Sequence, residues 1–234
     1  MPAGDPSSRA TARTGGVWEH GARRWSRSDQ LVGGDDNDRA AEMLGLVPGC
    51  WVLDAGCGAG RRLGPLAATG AHVVGVDISP AMLQLASGIG LLARLVRADV
   101  TNLPFHDDAF EAALCAYVLD FTPAVAAALR ELHRVVRPGG RLLVSLLGAV
   151  AGPRRATWHR FIGQSTPASG PLPWELEPLL THHAWHLVYQ EGIFGQDRDG
   201  NTNPVSDPTV VDPTTWTPGL QALANGWRFL AIAR

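Results

Sequence analysis

Residues 52–60 read VLDAGCGAG, and this stretch constrains the fold more than any other in the 234-residue chain. WVLDA (51–55) has the length and apolar character of a short buried strand. Gly56, Gly58 and Gly60 follow at alternate positions. Glycines so placed let the backbone turn tightly and approach a ligand closely. A helix expected from Ala59 to Gly70 would aim its free N–H groups at the same point. The motif alone leaves two readings open: a plain strand-to-helix turn, or a ligand cradle.

The chain around it repeats the unit. Asn37 or Asp38 can cap a helix running to Leu46, and Pro48-Gly49 makes a turn into the first strand. AHVVGVD (71–77) reads as a second strand, and Ser79-Pro80 as the start of a helix through about Ala86. ARLVRAD (93–99) and Phe110 to Ala116 read as the third and fourth strands. Thr122-Pro123 is a second cap-plus-proline start, followed by a stripe of Ala126, Leu129, Leu132, His133 and Val136 at helical spacing. Arg137-Pro138-Gly139-Gly140 should end that helix and turn into RLLVSLL (141–147), a fifth strand. Strands alternating with helices imply an α/β fold, a doubly wound parallel sheet covered on both faces. Beyond 148 the pattern predicts a helix over 174–183, a strand over 184–190 and a closing strand over 227–234. Residues 195–218 are a long Asp/Asn/Pro/Thr stretch, either a substrate-side lid or disordered. Residues 1–16 read as a mobile tail without the apolar run of a signal peptide. The expected division is a tail and possible cofactor lid over 1–36 and one domain over 37–234, with 148–225 as substrate-side segments.

Spacing narrows the ligand. The motif is GxGxG, with Arg61 where the dinucleotide fingerprint GxGxxG has its last glycine. Asp54 would repel a pyrophosphate but can accept hydrogen bonds from an ammonium group or water. Asp77 lies 19 residues after Gly58, beside the first turn in a doubly wound sheet, where a carboxylate can accept both hydroxyls of a ribose. Capping of the Asp77–Pro80 turn is its alternative role, although Ser79 can already cap. Asp99 reaches the same edge and can accept from an adenine amino group, with Ile78 and Val100 either sandwiching the ring or serving as plain core.

VLDAGCGAG, VVGVDISPAML, ADVTNLPFHDDAFEAAL and LRELHRVVRPGGRLLVSLL together resemble the class I S-adenosylmethionine-dependent methyltransferases of the small-molecule branch. The resemblance covers about residues 38–148, in the family's motif order. It implies a Rossmann-like sheet of about seven strands with the last antiparallel, and S-adenosylmethionine as cofactor. It implies that Asp54, Gly56, Gly58 and Gly60 face the methionine part of the cofactor, that Asp77 holds the ribose and that Asp99 and Val100 hold the adenine. Ala116 or Tyr117 would contact the amino-acid end. Cys57, Ile78 and Met82 belong to the same motifs and join the cofactor-binding set. Trp25 or Trp18 would close over the cofactor.

Composition supplies exclusions. All 20 basic side chains counted as Lys or Arg are Arg, so lysine Schiff bases and phosphate-loop lysines are impossible. A net charge of −2 gives no global field for nucleic acid or an anionic membrane. No apolar run reaches the roughly 18 residues of a membrane helix. Cys50, Cys57 and Cys115 form no close CxxC pair, which argues for a reducing, cytoplasmic setting and no structural metal. Ala116-Tyr117-Val118-Leu119 stands where amino-group methyltransferases of nucleic acid or glutamine carry an Asp/Asn-Pro-Pro-aromatic turn. A small organic acceptor is therefore expected, methylated on O, N or C by in-line displacement.

No catalytic residue is assigned. His20 and His159 are candidate bases; Tyr117 and Asp120 are expected at the pocket mouth; His133, His106 and the His182, His183, His186 group read as structural or solvated. Trp18, Trp25, Trp158, Trp174, Trp185 and Trp216 could line an apolar pocket or simply pack a lid. Two other functions stay open: a cofactor-binding protein with lost or altered catalysis, and a nicotinamide oxidoreductase, which the glycine spacing and Asp54 disfavour.

Overall fold

The computed structural model describes Trp18, Ala22 and residues 36–90, 93–147, 170–193 and 226–234. Helix α1 (Asp36–Leu44) precedes β1 (Trp51–Ala55), α2 (Leu63–Ala68), β2 (His72–Asp77), α3 (Pro80–Ser87), β3 (Arg94–Arg97) and β4 (Phe110–Ala116). A 3-10 turn (Leu119–Phe121), α4 (Val125–Val135), β5 (Val136–Leu147), α5 (Pro173–His182), β6 (Trp185–Ile193) and β7 (Gly226–Ala233) follow. The sheet order is β3-β2-β1-β4-β5-β7-β6. Strands β1 to β5 are mutually parallel, and β7 inserts antiparallel between β5 and β6. This is the doubly wound sheet that the α/β alternation predicts, with the seven strands and antiparallel last strand that the family resemblance implies.

Alternate strand residues feed two cores, one on each face of the sheet. Leu53, Val74, Ala113 and Leu142 pack with Leu129, Trp185 and Trp227 on one face. Val52, Val73, Leu114 and Leu143 pack with α1 and α2 on the other, through Leu44 and Leu63. Because both faces are covered, the central strands are near-continuous apolar runs. Chain order runs outward from β1 through β3 in one direction and from β4 to β5 in the other. The crevice at the carboxyl ends of these two strands is the switch point where doubly wound sheets place ligands.

Four local expectations change. The helix after the glycine motif begins at Leu63, not Ala59. Gly56, Gly58 and Gly60 all have positive φ, which excludes them from a right-handed helix. Thr122 does not cap a helix: its hydroxyl donates to the Val118 carbonyl at 2.8 Å, and α4 starts at Val125 without a side-chain cap. The buried stripe of α4 is Ala128, Leu129, Leu132 and Val135 rather than one containing Ala126 and Val136. Arg137–Gly140 is not a separate turn but an irregularity inside β5, where pairing with β4 steps from Phe110–Val136 to Ala112–Arg141.

Candidate functional site

The turn after β1 is hooked onto β2. The Gly56 and Cys57 amides both donate to the Val76 carbonyl, at 2.7 and 2.8 Å. Gly56 has φ +83°, and a Cβ there would lie 2.2 Å from Cγ2 of Val118. The β1 and β4 turns therefore meet at a point only glycine allows. The Gly58 amide donates to Oδ2 of Asp77 at 2.9 Å, while Oδ1 of Asp77 accepts from the Ser79 amide at 2.9 Å. Asp77 thus ties the glycine turn to the start of α3, where Ser79 caps by accepting from Met82 N at 3.3 Å. Burial pushes the Asp77 carboxyl up from its ordinary range, against the pull of these backbone donors.

One cleft gathers most of the expected residues. Gly56, Cys57, Gly58, Asp77, Ile78, Met82, Asp99, Val100, Ala116 and Tyr117 line it. Gly60 is not among its lining; it packs against α3, where a Cβ would lie 3.0 Å from that of Ala86. Asp54 lies below the turn, 2% exposed. Its Oδ2 has no hydrogen-bond partner, and burial pushes its carboxyl up to about 7; Arg62 pulls it down and Asp77 raises it further. Oδ1 of Asp99 accepts from the Thr101 amide at 2.9 Å, and Asp99 bridges to Asn102.

The other end of the cleft is aromatic. Tyr117 has φ +61°, a sparsely populated conformation for a bulky residue, and its amide donates to the Ser145 carbonyl at 2.8 Å. The Arg62 guanidinium lies 5.5 Å from the Tyr117 ring centroid. Trp18 meets Phe121 edge-on at 5.2 Å, and both line the cleft with Thr122 and Pro123. Trp25, Trp158, Trp216, His20 and His159 lie outside the described residues.

Two expectations are corrected. Asp120 is not at the mouth: it is 1% exposed, and both its carboxylate oxygens accept from the Leu147 amide at 3.2 Å. Trp185 does not line a pocket: it is fully buried, donates from Nε1 to the Leu129 carbonyl at 3.2 Å and packs edge-on against His133. Arg61, Arg62, Phe121, Thr122 and Pro123 line the cleft without having been singled out as ligand contacts. The available signal was positional, since each lies just beyond the carboxyl end of β1 or β4. Among the described residues no three His, Cys, Asp or Glu side chains converge as a metal site.

The sequence profile described as a methyltransferase domain matches residues 53–144. Over this stretch the chain is similar to methyltransferase domains. A demethylmenaquinone methyltransferase of Tropheryma whipplei is 41% identical over 107 residues, 45% of each chain. The sterol 4-C-methyltransferase strm-1 of Caenorhabditis elegans is 34% identical over 110 residues, 44% of this chain and 33% of that protein. The matched stretch thus spans about half or less of the length of these relatives. In fold, a Thermotoga maritima S-adenosylmethionine-dependent methyltransferase superposes with TM-score 0.71 at 18% identity, covering 94% of this chain and all of that one (100%). The Burkholderia thailandensis 1,6-didemethyltoxoflavin-N1-methyltransferase, solved with bound 1,6-didemethyltoxoflavin and S-adenosylhomocysteine, gives 0.61 at 21% identity, covering 100% of this chain and 92% of that one.

The family's cofactor is S-adenosylmethionine, and the donor set fits it. A buried carboxylate oxygen of Asp54 without a partner answers a cation. Gly58 has open space where a Cβ would stand, which leaves room for close approach. No described helix is long and apolar enough to cross a membrane.

Proposed function

We propose that this chain holds S-adenosylmethionine in the cleft at the ends of β1, β2 and β4, and transfers its methyl group to a small organic acceptor. The observation that carries this reading is the convergence of the glycine turn, Asp77 and Asp99 on that one cleft. When bound, the cofactor supplies a methyl group on a sulfonium, already joined to a good leaving group.

The chain's own residues have four tasks. Asp54 and the 56–58 turn bind the amino-acid end. Asp77, whose Oδ2 accepts from the Gly58 amide and Oδ1 from the Ser79 amide, keeps further lone pairs on both oxygens for ribose hydroxyls. Asp99, Ile78 and Val100 flank the base. Trp18, Phe121 and Tyr117 exclude water and orient the acceptor in line with the methyl. The aromatic rim favours a ring-shaped, largely apolar acceptor, in keeping with relatives named for demethylmenaquinone and for a sterol. The net charge of −2 disfavours nucleic acid. All three cysteines are free and buried, which supports a cytoplasmic setting.

Calorimetry with S-adenosylhomocysteine and with NAD tests the cofactor, and a labelled-methyl screen over quinols, phenols, acids and amines tests the transfer. Binding of S-adenosylhomocysteine and methylation of a ring compound are expected. NAD binding without S-adenosylhomocysteine binding would overturn the reading; cofactor binding with no acceptor across the screen would favour lost or altered catalysis.

A further inference from the structure

The wall of the cleft that carries Asp99, Val100 and Thr101 is a loop, and loops hold geometry only when something fixes them. Here the fixing comes from α4, on the far side of that loop. Oε2 of Glu131 accepts from the Leu103 amide at 2.8 Å, and Nη2 of Arg134 donates to the Leu103 carbonyl at 3.0 Å. Both backbone groups of one residue are thereby held by two side chains one helical turn apart. Nη1 of Arg134 also donates to the Phe105 carbonyl at 2.7 Å and to Oδ1 of Asp107 at 2.9 Å. Nε and Nη2 grip Glu131 as a fork, at 2.9 and 2.8 Å. Leu103 itself is 3% exposed and lies four residues from Asp99, joined to it through the tight 99–102 turn in which the Asn102 amide donates to the Asp99 carbonyl at 2.9 Å.

We propose that Glu131 and Arg134 are positioning residues for cofactor binding: by clamping Leu103 they set the Asp99–Thr101 wall, although neither lines the cleft. The proposal rests on the functional reading above. A planar fork is required, because two backbone carbonyls and two carboxylates lie around one guanidinium; an ammonium cannot meet them together.

The test measures S-adenosylhomocysteine affinity by calorimetry, and amide exchange at Thr101–Leu103, in the full chain and in Arg134→Gln, Arg134→Lys and Glu131→Gln. Arg134→Gln is expected to weaken affinity about tenfold and to speed exchange at those amides. Arg134→Lys should restore only part of the affinity. Saturating S-adenosylhomocysteine should erase the exchange difference. Should Arg134→Gln fail to fold, Glu131→Gln, which keeps the side chain's shape, gives the same two readouts. A lowered Tm with unchanged affinity, or full rescue by lysine, would overturn the clamp alone. A wild-type chain that does not bind S-adenosylhomocysteine would overturn the functional reading and the clamp together.

Discussion

Asp54 sets two requirements against each other. A carboxylate with an unpartnered buried oxygen destabilises the free protein, and in the proposed reading the same oxygen is the partner of the cofactor's ammonium group. Its carboxyl is raised from 3.8 to about 7, with burial the main cause. Between those values the folded chain keeps a proton that the unfolded chain has lost, so stability falls as pH rises through this window and levels off above it. Asp54→Asn is expected to raise stability at pH 8 by on the order of 2 kcal/mol, with the gain shrinking toward zero near pH 4. Urea unfolding of both proteins at the two pH values checks this; a gain of equal size at both would show that burial of the charge is not the cause. The residue's place was readable in sequence, since a strand ending in Asp before glycines puts the carboxylate under the turn. The lack of a donor at its Oδ2 was not, because that depends on which groups β2 and β4 bring alongside.

The glycine turn shows how one sequence pattern carries distinct duties within a single element. A methyl group at Gly56 would collide with Val118, while one at Gly58 meets open space. Gly56→Ala is therefore expected to destabilise by several kcal/mol, from left-handed strain plus the clash. Gly58→Ala should cost only about 1–2 kcal/mol, from strain alone, yet abolish measurable S-adenosylhomocysteine binding because the methyl stands where the ligand must approach. Thermal unfolding and calorimetry on both variants separate the two; normal binding by Gly58→Ala would show that the turn does not face the cofactor. Strands β1, β2 and β4 were legible to within a residue from apolar runs and flanking turn signals. The start of α2 was not, since three positive-φ glycines delay it and a sequence does not print φ. Thr122-Pro123 misled for a similar reason: a hydroxyl that can cap is also able to donate backwards, as Thr122 does to the Val118 carbonyl.

At the scale of the whole molecule, the topology brings scattered residues to one edge of the sheet. Asp54, Asp77 and Asp99 are separated by 23 and 22 positions in sequence, yet parallel strands deliver all three to one edge. The α/β alternation made that convergence legible before any coordinates. The aromatic end of the cleft was less legible, because Trp18, Arg62 and Phe121 come from three different segments with no shared motif. Binding to the folded state alone must then stabilise the entire domain by mass action. At a hundredfold excess over Kd, S-adenosylhomocysteine is expected to add about 2.7 kcal/mol, or roughly 5–10 °C in Tm for a domain of this size, while NAD adds nothing. The ammonium group of the ligand favours ionised Asp54, so binding releases a proton whenever Asp54 starts neutral. Affinity should therefore be constant above pH 7 and weaken below it, by up to about tenfold per pH unit. Asp54→Asn should remove that pH dependence while binding more weakly throughout. Calorimetry from pH 5.5 to 8.5 on both proteins decides the matter: a wild-type affinity that stays flat across this range would mean that Asp54 does not face the ligand's cation.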